Sequence, residues 1–193
     1  FIGISLGANV LAARFFAAGR SREMSETVHT AVAFALLSGL FMAVFGLVFS
    51  RFALELMGTP ADVIDQSALY MRIYFLGMPA LALYNFGNAV CSAFGDTKKP
   101  LYYLSAAGVV NVVLNLFFVI CFSMSVAGVA LATIISQTVS ALLVTGMLVR
   151  EEGALRLDLR RLGFHAGTLK QILLIGLPAG LQSTVFSLSN VVI

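Results

Sequence analysis

The chain has 193 residues, of which 60% are hydrophobic and only 11% charged, with a mean hydropathy of +0.97. No soluble domain needs that much apolar surface to fill a core, so the composition excludes an ordinary globular protein and points to one embedded in a bilayer. The net charge of +3 would suit an anionic partner, but basic residues interleaved with stacking aromatics are lacking, and a nucleic-acid partner is not expected.

In chain order, the sequence opens without an initiator Met and already inside an apolar helix, Phe1 to Ala13, with Gly3, Gly7 and Ala8 forming a small-residue face. That helix is too short to cross alone and lacks the basic front of a signal peptide, so the chain is expected to be a piece that starts partway through a span. Arg14, Arg20 and Arg22 mark the exit into water, with Gly19 as a helix stop. Ser25, Glu26 and Thr27 begin the next helix, and Thr30 to Ser50 forms an uncharged span ending at Arg51. Gly58-Thr59-Pro60 is a turn. A helix restarts over Ala61 to Tyr70, with Asp62 and Asp65 early and Arg72 snorkelling between Tyr70 and Tyr74. Ile73 to Gly95 is the third span, bent by Pro79.

Gly95 and Pro100 bracket a tight reversal, with Asp96 or Thr97 capping the helix that follows and Lys98 and Lys99 facing anionic lipid. Leu101 to Val149 carries no charge, and as one helix it would rise about 74 Å, more than twice the roughly 30 Å hydrocarbon core. It must turn back, and Ser123 to Gly128 is the natural place. Two spans result, Leu101 to Phe122 and Val126 to Val149. Arg150 to Lys170 is a polar connector expected to lie on the surface, and Gln171 to Ile193 is a final span holding Pro178. Pro79 and Pro178 read equally as static kinks or hinges. Cys91 and Cys121 fall inside apolar spans without Cys or His at ligand spacing, and both are expected to be buried packing residues.

Ten of the twelve Lys and Arg fall on alternate connections, which makes the loops at 14–29, 95–100 and 150–170 cytoplasmic by the positive-inside rule. No nucleotide loop, zinc motif or nucleophile elbow is present in the sequence. His29 and His165 read as solvated interfacial residues, and every carboxylate sits in a loop or at a membrane edge, so an enzyme is not expected. What remains is a polar seam. Asn85, Asn88 and Ser92 share a face; so do Gly108, Asn111 and Asn115; so do Thr133, Ser136, Gln137 and Ser140; and the last span offers Gln182, Ser183, Phe186 and Asn190. Such residues either bond helices to one another or line a wet cavity that accepts an ion or organic cation. The residues alone leave both readings open.

The stretches Ala93 to Tyr102, Asn111 to Asn115, Gly128 to Gln137, Leu56 to Pro60 and Ile175 to Ser183 resemble the multidrug and toxic compound extrusion (MATE) family, in order and spacing over essentially the whole chain. The resemblance implies an all-α polytopic transmembrane bundle of twelve helices in two lobes. Residues 1–149 would be part of helix two and helices three to six of the first lobe, 150–170 the cytoplasmic interlobe connector, and 171–193 the first helix of the second lobe. It implies a monomeric antiporter of the cell (inner) membrane that exports small organic cations or drugs in exchange for Na⁺ or H⁺, without a cofactor. Asn88, Asn111, Asn115 and Thr133 would form its cation pocket, with Gln137 and Gln182 added from the polar stripes. Many members carry Asp at the position of Asn115; an amide cannot carry a proton, but its carbonyl oxygen can serve Na⁺. The alternatives are a lipid-linked oligosaccharide flippase of the same superfamily, which would need a strongly cationic cavity, a membrane-embedded transferase, and a structural scaffold.

Overall fold

The computed structural model describes residues 1–122 and 126–192. Among these residues seven α-helices follow one another: α1 (Ile2–Ala17), α2 (Ser21–Leu56), α3 (Ile64–Leu76), α4 (Met78–Ala93), α5 (Lys98–Phe122), α6 (Val126–Arg150) and α7 (Ala166–Val192). Two short 3-10 turns, Gly153–Leu155 and Leu159–Arg161, lie between α6 and α7. Of the expected turn Ser123 to Gly128, residues 123–125 lie outside the described residues and residues 126–128 are already helical in α6; the side chains of Arg161, Asn190, Val191 and Val192 also lie outside the described residues. Among the described residues, four helices are long and apolar enough to cross a membrane: α2, α5, α6 and residues 166–189 of α7.

Glycine ends three of the helices as anticipated. Gly19, Gly58 and Gly95 have φ of 65°, 71° and 79°, the left-handed conformation that costs a residue without Cβ least. Asp96 rather than Thr97 provides the cap of α5, its Oδ1 accepting from Lys99 N at 3.3 Å.

Several boundaries differ from expectation. The second span is part of a 36-residue helix, because the charged residues before it form pairs at helical spacing, Arg20 with Glu23 and Arg22 with Glu26, and so extend the helix instead of ending it. The third span is not one helix. It breaks at Gly77, two residues before the proline held responsible for bending it. Pro79 has no N–H to offer the carbonyl of Phe75, and Gly77 N turns instead to Tyr74 O at 3.0 Å, a tighter i to i−3 bond. The last helix begins five residues before Gln171.

The chain forms two compact units. The first comprises residues 1–35, 85–100 and 144–193. Its buried side chains include Leu11, Phe15, Val28, Phe86, Val90, Val144, Leu148, Leu157 and Ile172. Here α1 crosses α7 at glycines on both helices, Gly3 and Gly7 on one and Gly176 and Gly180 on the other. A Cβ on Gly176 would stand 2.7 Å from Ile4 Cα, and one on Gly7 would overlap the carbonyl oxygen of Ile172. This is small-residue packing, in which van der Waals contact between backbones replaces a hydrophobic driving force that lipid does not supply.

The connector is not simply laid on the surface. Leu157 is only 1% exposed, and its N–H donates to Leu148 O at 2.9 Å. His29, expected to be solvated, is 6% exposed. Its Nδ1–H donates to Ser25 O at 2.7 Å, and its Nε2 accepts from Asp158 N at 3.1 Å; the two bonds together select the Nδ1–H tautomer. At the next residue, Thr30 Oγ1 accepts from His165 N at 3.3 Å.

Lys99 does not face lipid alone either. Its Nζ lies 3.1 Å from Asp96 Oδ2 and 3.0 Å from Glu151 Oε1, clasping the start of α5 to the residue after α6. Partial burial pushes the Asp96 carboxyl up, but hydrogen bonds from the Lys99 side chain and from the Lys99 and Lys98 backbone outweigh it and hold it below the usual carboxylate value. A carboxyl so lowered stabilises the fold above its unfolded pKa, about 3.9, and loses that contribution as pH falls through the folded value. Asp96→Asn is therefore expected to flatten the acid limb of the melting temperature against pH, with a slightly lower melting temperature at neutral pH. Thermal melts from pH 7 downward check this, and an acid limb as steep as the parent's would refute it.

The second unit comprises residues 36–84 and 101–143. Its buried apolar side chains are mostly alanines, Ala43, Ala68, Ala82, Ala107, Ala130, Ala132 and Ala141, so the helices approach on small faces. Gly39 meets Pro79, where a Cβ would come within 2.5 Å of Pro79 Cα, and Gly46 leaves room for the Phe75 ring. Arg51 on α2 reaches Asp65 on α3 at 2.9 Å, while Arg72 is exposed beside the stacked rings of Tyr70 and Tyr74. Cys91, in the first unit, is buried as expected, but Cys121 is exposed. The end of α5 on which Cys121 sits is exposed throughout residues 119–122, and a helix apolar on every side gives no stripe from which a core face can be read.

Candidate functional site

The polar seam becomes a defined chain of hydrogen bonds in the second unit. Asn111 and Asn115 stand four residues apart on α5 and therefore share a face. Asn115 Nδ2 donates to Asn111 Oδ1 at 2.9 Å. Asn111 Nδ2 in turn donates across to α6, to Ser136 Oγ at 3.2 Å, and the Ser136 hydroxyl donates to Thr133 O at 2.9 Å. The relay ends at its other extreme on a bare acceptor: among the described residues, Asn115 Oδ1 is buried and has no hydrogen-bond partner.

Magnitudes separate the two readings that the sequence left open. An interhelical hydrogen bond in a membrane bundle contributes about 0.6 kcal/mol on average, whereas a buried acceptor without a donor costs about 1–3 kcal/mol. A seam built only to hold helices together gains little from ending on such an atom. A buried, partnerless carbonyl oxygen at the end of an oriented amide chain suits a donor or a hard cation that prefers oxygen ligands. No charged residue occurs anywhere between Leu101 and Val149, so α5 and α6 bring only amide and hydroxyl dipoles to the site.

Of the six residues singled out in the sequence, Asn111 and Asn115 are bonded to each other. Thr133 joins through its backbone carbonyl, because its hydroxyl donates to Val129 O at 2.9 Å. Gln137 lies one residue beyond Ser136, and its Oε1 is 3.3 Å from where a Cβ on Gly77 would stand, at the break between α3 and α4. Asn88, half-buried on α4, and Gln182, exposed on α7, belong to the first unit. Sequence reasoning placed Ser136 on the α6 stripe but passed it over as a site residue. Its position three residues after Thr133, facing the apolar interior at 5% exposure, was the available signal. Asn9 was missed altogether: its Nδ2 donates to Ala89 O at 2.7 Å, and an amide alone on a helix of small and apolar residues is the mark of such a tie.

Residues 1–117 match the MatE family. The chain belongs to that family. MatE proteins are transporters, which sets aside the membrane-embedded transferase, and this chain is a multi-pass, all-α membrane protein. It is 31% identical, over all of its length and 43% of the relative's, to "Probable multidrug resistance protein YoeA" of Bacillus subtilis. To "Probable multidrug resistance protein YpnP" of the same organism it is 34% identical over 74% of this chain and 32% of the relative. A crystal structure of MATE in the bent conformation superposes with a TM-score of 0.90 at 23% identity, covering 97% of this chain and 42% of that one, and carries the likeness of fold. The chain thus spans less than half the length of these MatE relatives.

Proposed function

We propose that this chain is the larger part of one lobe, with the connector and the first helix of the second lobe, of a secondary-active antiporter that exports cationic or amphipathic compounds. Supporting this are the MatE membership and the relatives named for multidrug resistance. The observation that carries the ion-coupling half is the buried, partnerless Asn115 Oδ1 at the end of the Asn115–Asn111–Ser136 relay. In this reading a cation entering the site is coordinated by that oxygen and draws α5 and α6 into one arrangement. The differential affinity for two arrangements is what couples ion entry to drug exit. An amide has no proton to exchange, so Na⁺ is the coupling ion that this seam favours over H⁺. The basic loops at 14–29, 95–100 and 150–170 lie on the cytoplasmic side in this reading. A lipid-linked oligosaccharide flippase would need cationic side chains among the intramembrane positions of α5 and α6, and the sequence offers none there.

The test is dye efflux from cells carrying the full-length parent, with Na⁺ present or replaced by a large organic cation. Efflux is expected to depend on Na⁺ and to fall about tenfold in Asn111→Ala, the consequence of losing roughly 1.4 kcal/mol of ion binding. Wild-type rates from Asn111→Ala would remove the site.

A further inference from the structure

His29 is built into the first unit in one charge state. The residue is 6% exposed, and both ring nitrogens are used: Nδ1–H donates to Ser25 O at 2.7 Å, and Nε2 accepts from Asp158 N at 3.1 Å. The second bond is the informative one. A ring nitrogen accepts only while it carries no proton, so this contact between α2 and the connector exists for the neutral imidazole and not for the imidazolium. A second proton, on Nε2, would set N–H against N–H, and a backbone amide has no rotamer with which to turn away.

The surroundings offer the charged ring little in return. Both carboxylates next to it are engaged. Glu26, one turn back on α2, pairs with Arg22 at 3.2 Å, and Asp158 Oδ1 accepts from Arg160 N at 3.0 Å. His165, further along the connector, has its Nδ1 3.4 Å from Thr30 Oγ1. The charged residues carried by α1, α6 and α7 are Arg14, Arg150 and Lys170, all of them cations, and Arg156 and Arg160 on the connector are exposed.

We propose that His29 is a pH-sensitive latch: in mildly acidic solution the ring takes a second proton, Asp158 N loses its acceptor, and residues 158–164 come away from α2. The latched state requires a neutral ring and the released state admits either form, so protons favour release. The latch is intact at high pH and is lost as pH falls. Histidine is the side chain that changes charge between about pH 5 and 8, which places the event close to neutrality. The bonds on either side limit how far it spreads. Leu157 N donates to Leu148 O and His165 N to Thr30 Oγ1, and neither bond involves the His29 ring, so the stretch between them moves while its ends stay attached. The latch lies within the first unit, outside the amide relay, and does not rest on the transport reading.

The test places a nitroxide on Arg160→Cys in the full-length protein in detergent, with the other cysteines replaced by alanine, and records its spectrum from pH 8 to pH 5. The ratio of mobile to immobile label is expected to rise at least about tenfold over that range, since one coupled proton shifts an equilibrium by up to about tenfold per pH unit. His29→Gln, which keeps an acceptor and takes no proton, should leave the label immobile throughout. His165→Gln, at an exposed position, should keep the full response, and it covers the case in which His29→Gln does not yield folded protein. A label whose mobility is constant with pH, or that tightens in acid because the Asp158 carboxylate catches the charged ring, would overturn the proposal. So would a response that survives in His29→Gln or disappears in His165→Gln.

Discussion

Gly7→Ala will destabilise the protein, although the same exchange at Gly108 will stabilise it. In a helix interior alanine is favoured over glycine by about 1 kcal/mol, so both substitutions begin with the same advantage. At Gly108 a Cβ has nothing within 4 Å, and the advantage remains. At Gly7 the added carbon overlaps the carbonyl oxygen of Ile172 and stands 2.8 Å from Gly176 N. Both of those atoms are backbone, and no rotamer change can move them aside. The helices must separate, which forfeits contact along the whole crossing and costs at the upper end of the roughly 1–3 kcal/mol seen for overpacking. The measurement is the melting temperature of the full-length protein in detergent, with both variants in parallel. If Gly7→Ala melted above the parent, as Gly108→Ala should, the close crossing of α1 and α7 would be refuted.

His29→Ala will release the connector. Removing the ring takes away the His29 acceptor of Asp158 N–H at a half-buried position, a penalty at the lower end of about 1–3 kcal/mol, and opens a cavity beneath a segment also held by Leu157 and Thr30. Arg156 and Arg160 are exposed on that segment, so limited trypsin digestion reports directly on its detachment. Cleavage there should be at least about tenfold faster in His29→Ala, following from roughly 1.4 kcal/mol less protection. His29→Gln, whose amide oxygen can still accept from Asp158 N, should recover part of the resistance. Cleavage of His29→Ala at the parental rate would show that the imidazole does not hold the connector.

Which features the sequence disclosed follows from the range of the interactions behind them. The ends of α5 and α6 at Phe122 and Val126 were legible because bilayer thickness limits how far an uncharged run can extend. Gly58 and Gly95 were legible because a left-handed residue is a local requirement. Asn111 and Asn115 were legible as a pair because helical spacing fixes their common face. The hydroxyl of Thr133 was not, since a threonine in a helix can turn back onto its own carbonyl four residues earlier, and no pattern of neighbours reveals that choice. His29 was misjudged for a different reason: its partner Asp158 lies 129 residues away in the chain, and a lone histidine near a helix start gives no sign of a distant donor. The break at Gly77 was placed at Pro79 because proline is the obvious disruptor. Its effect on hydrogen bonding falls on the carbonyl of Phe75, on the N-terminal side of the ring, and the helix yields at the nearest glycine.

The interrupted passage from α3 to α4 decides an odd-or-even question. His29, near the beginning of α2, holds Asp158 beyond α6, and Lys99, at the beginning of α5, holds Glu151 just after α6. The beginnings of α2 and α5 and the finish of α6 therefore meet at one end of the first unit. A chain that departs along α2 can reappear at Lys99 only if it travels back between Leu56 and Lys98. The 13 residues of α3 and the 16 of α4 are each shorter than the about 20 that a lone traverse requires, yet jointly they make that journey. Counting only the long helices would put Arg20 and Arg150 on opposite faces of the bilayer; the broken pair, reckoned as one passage, returns both to the same face.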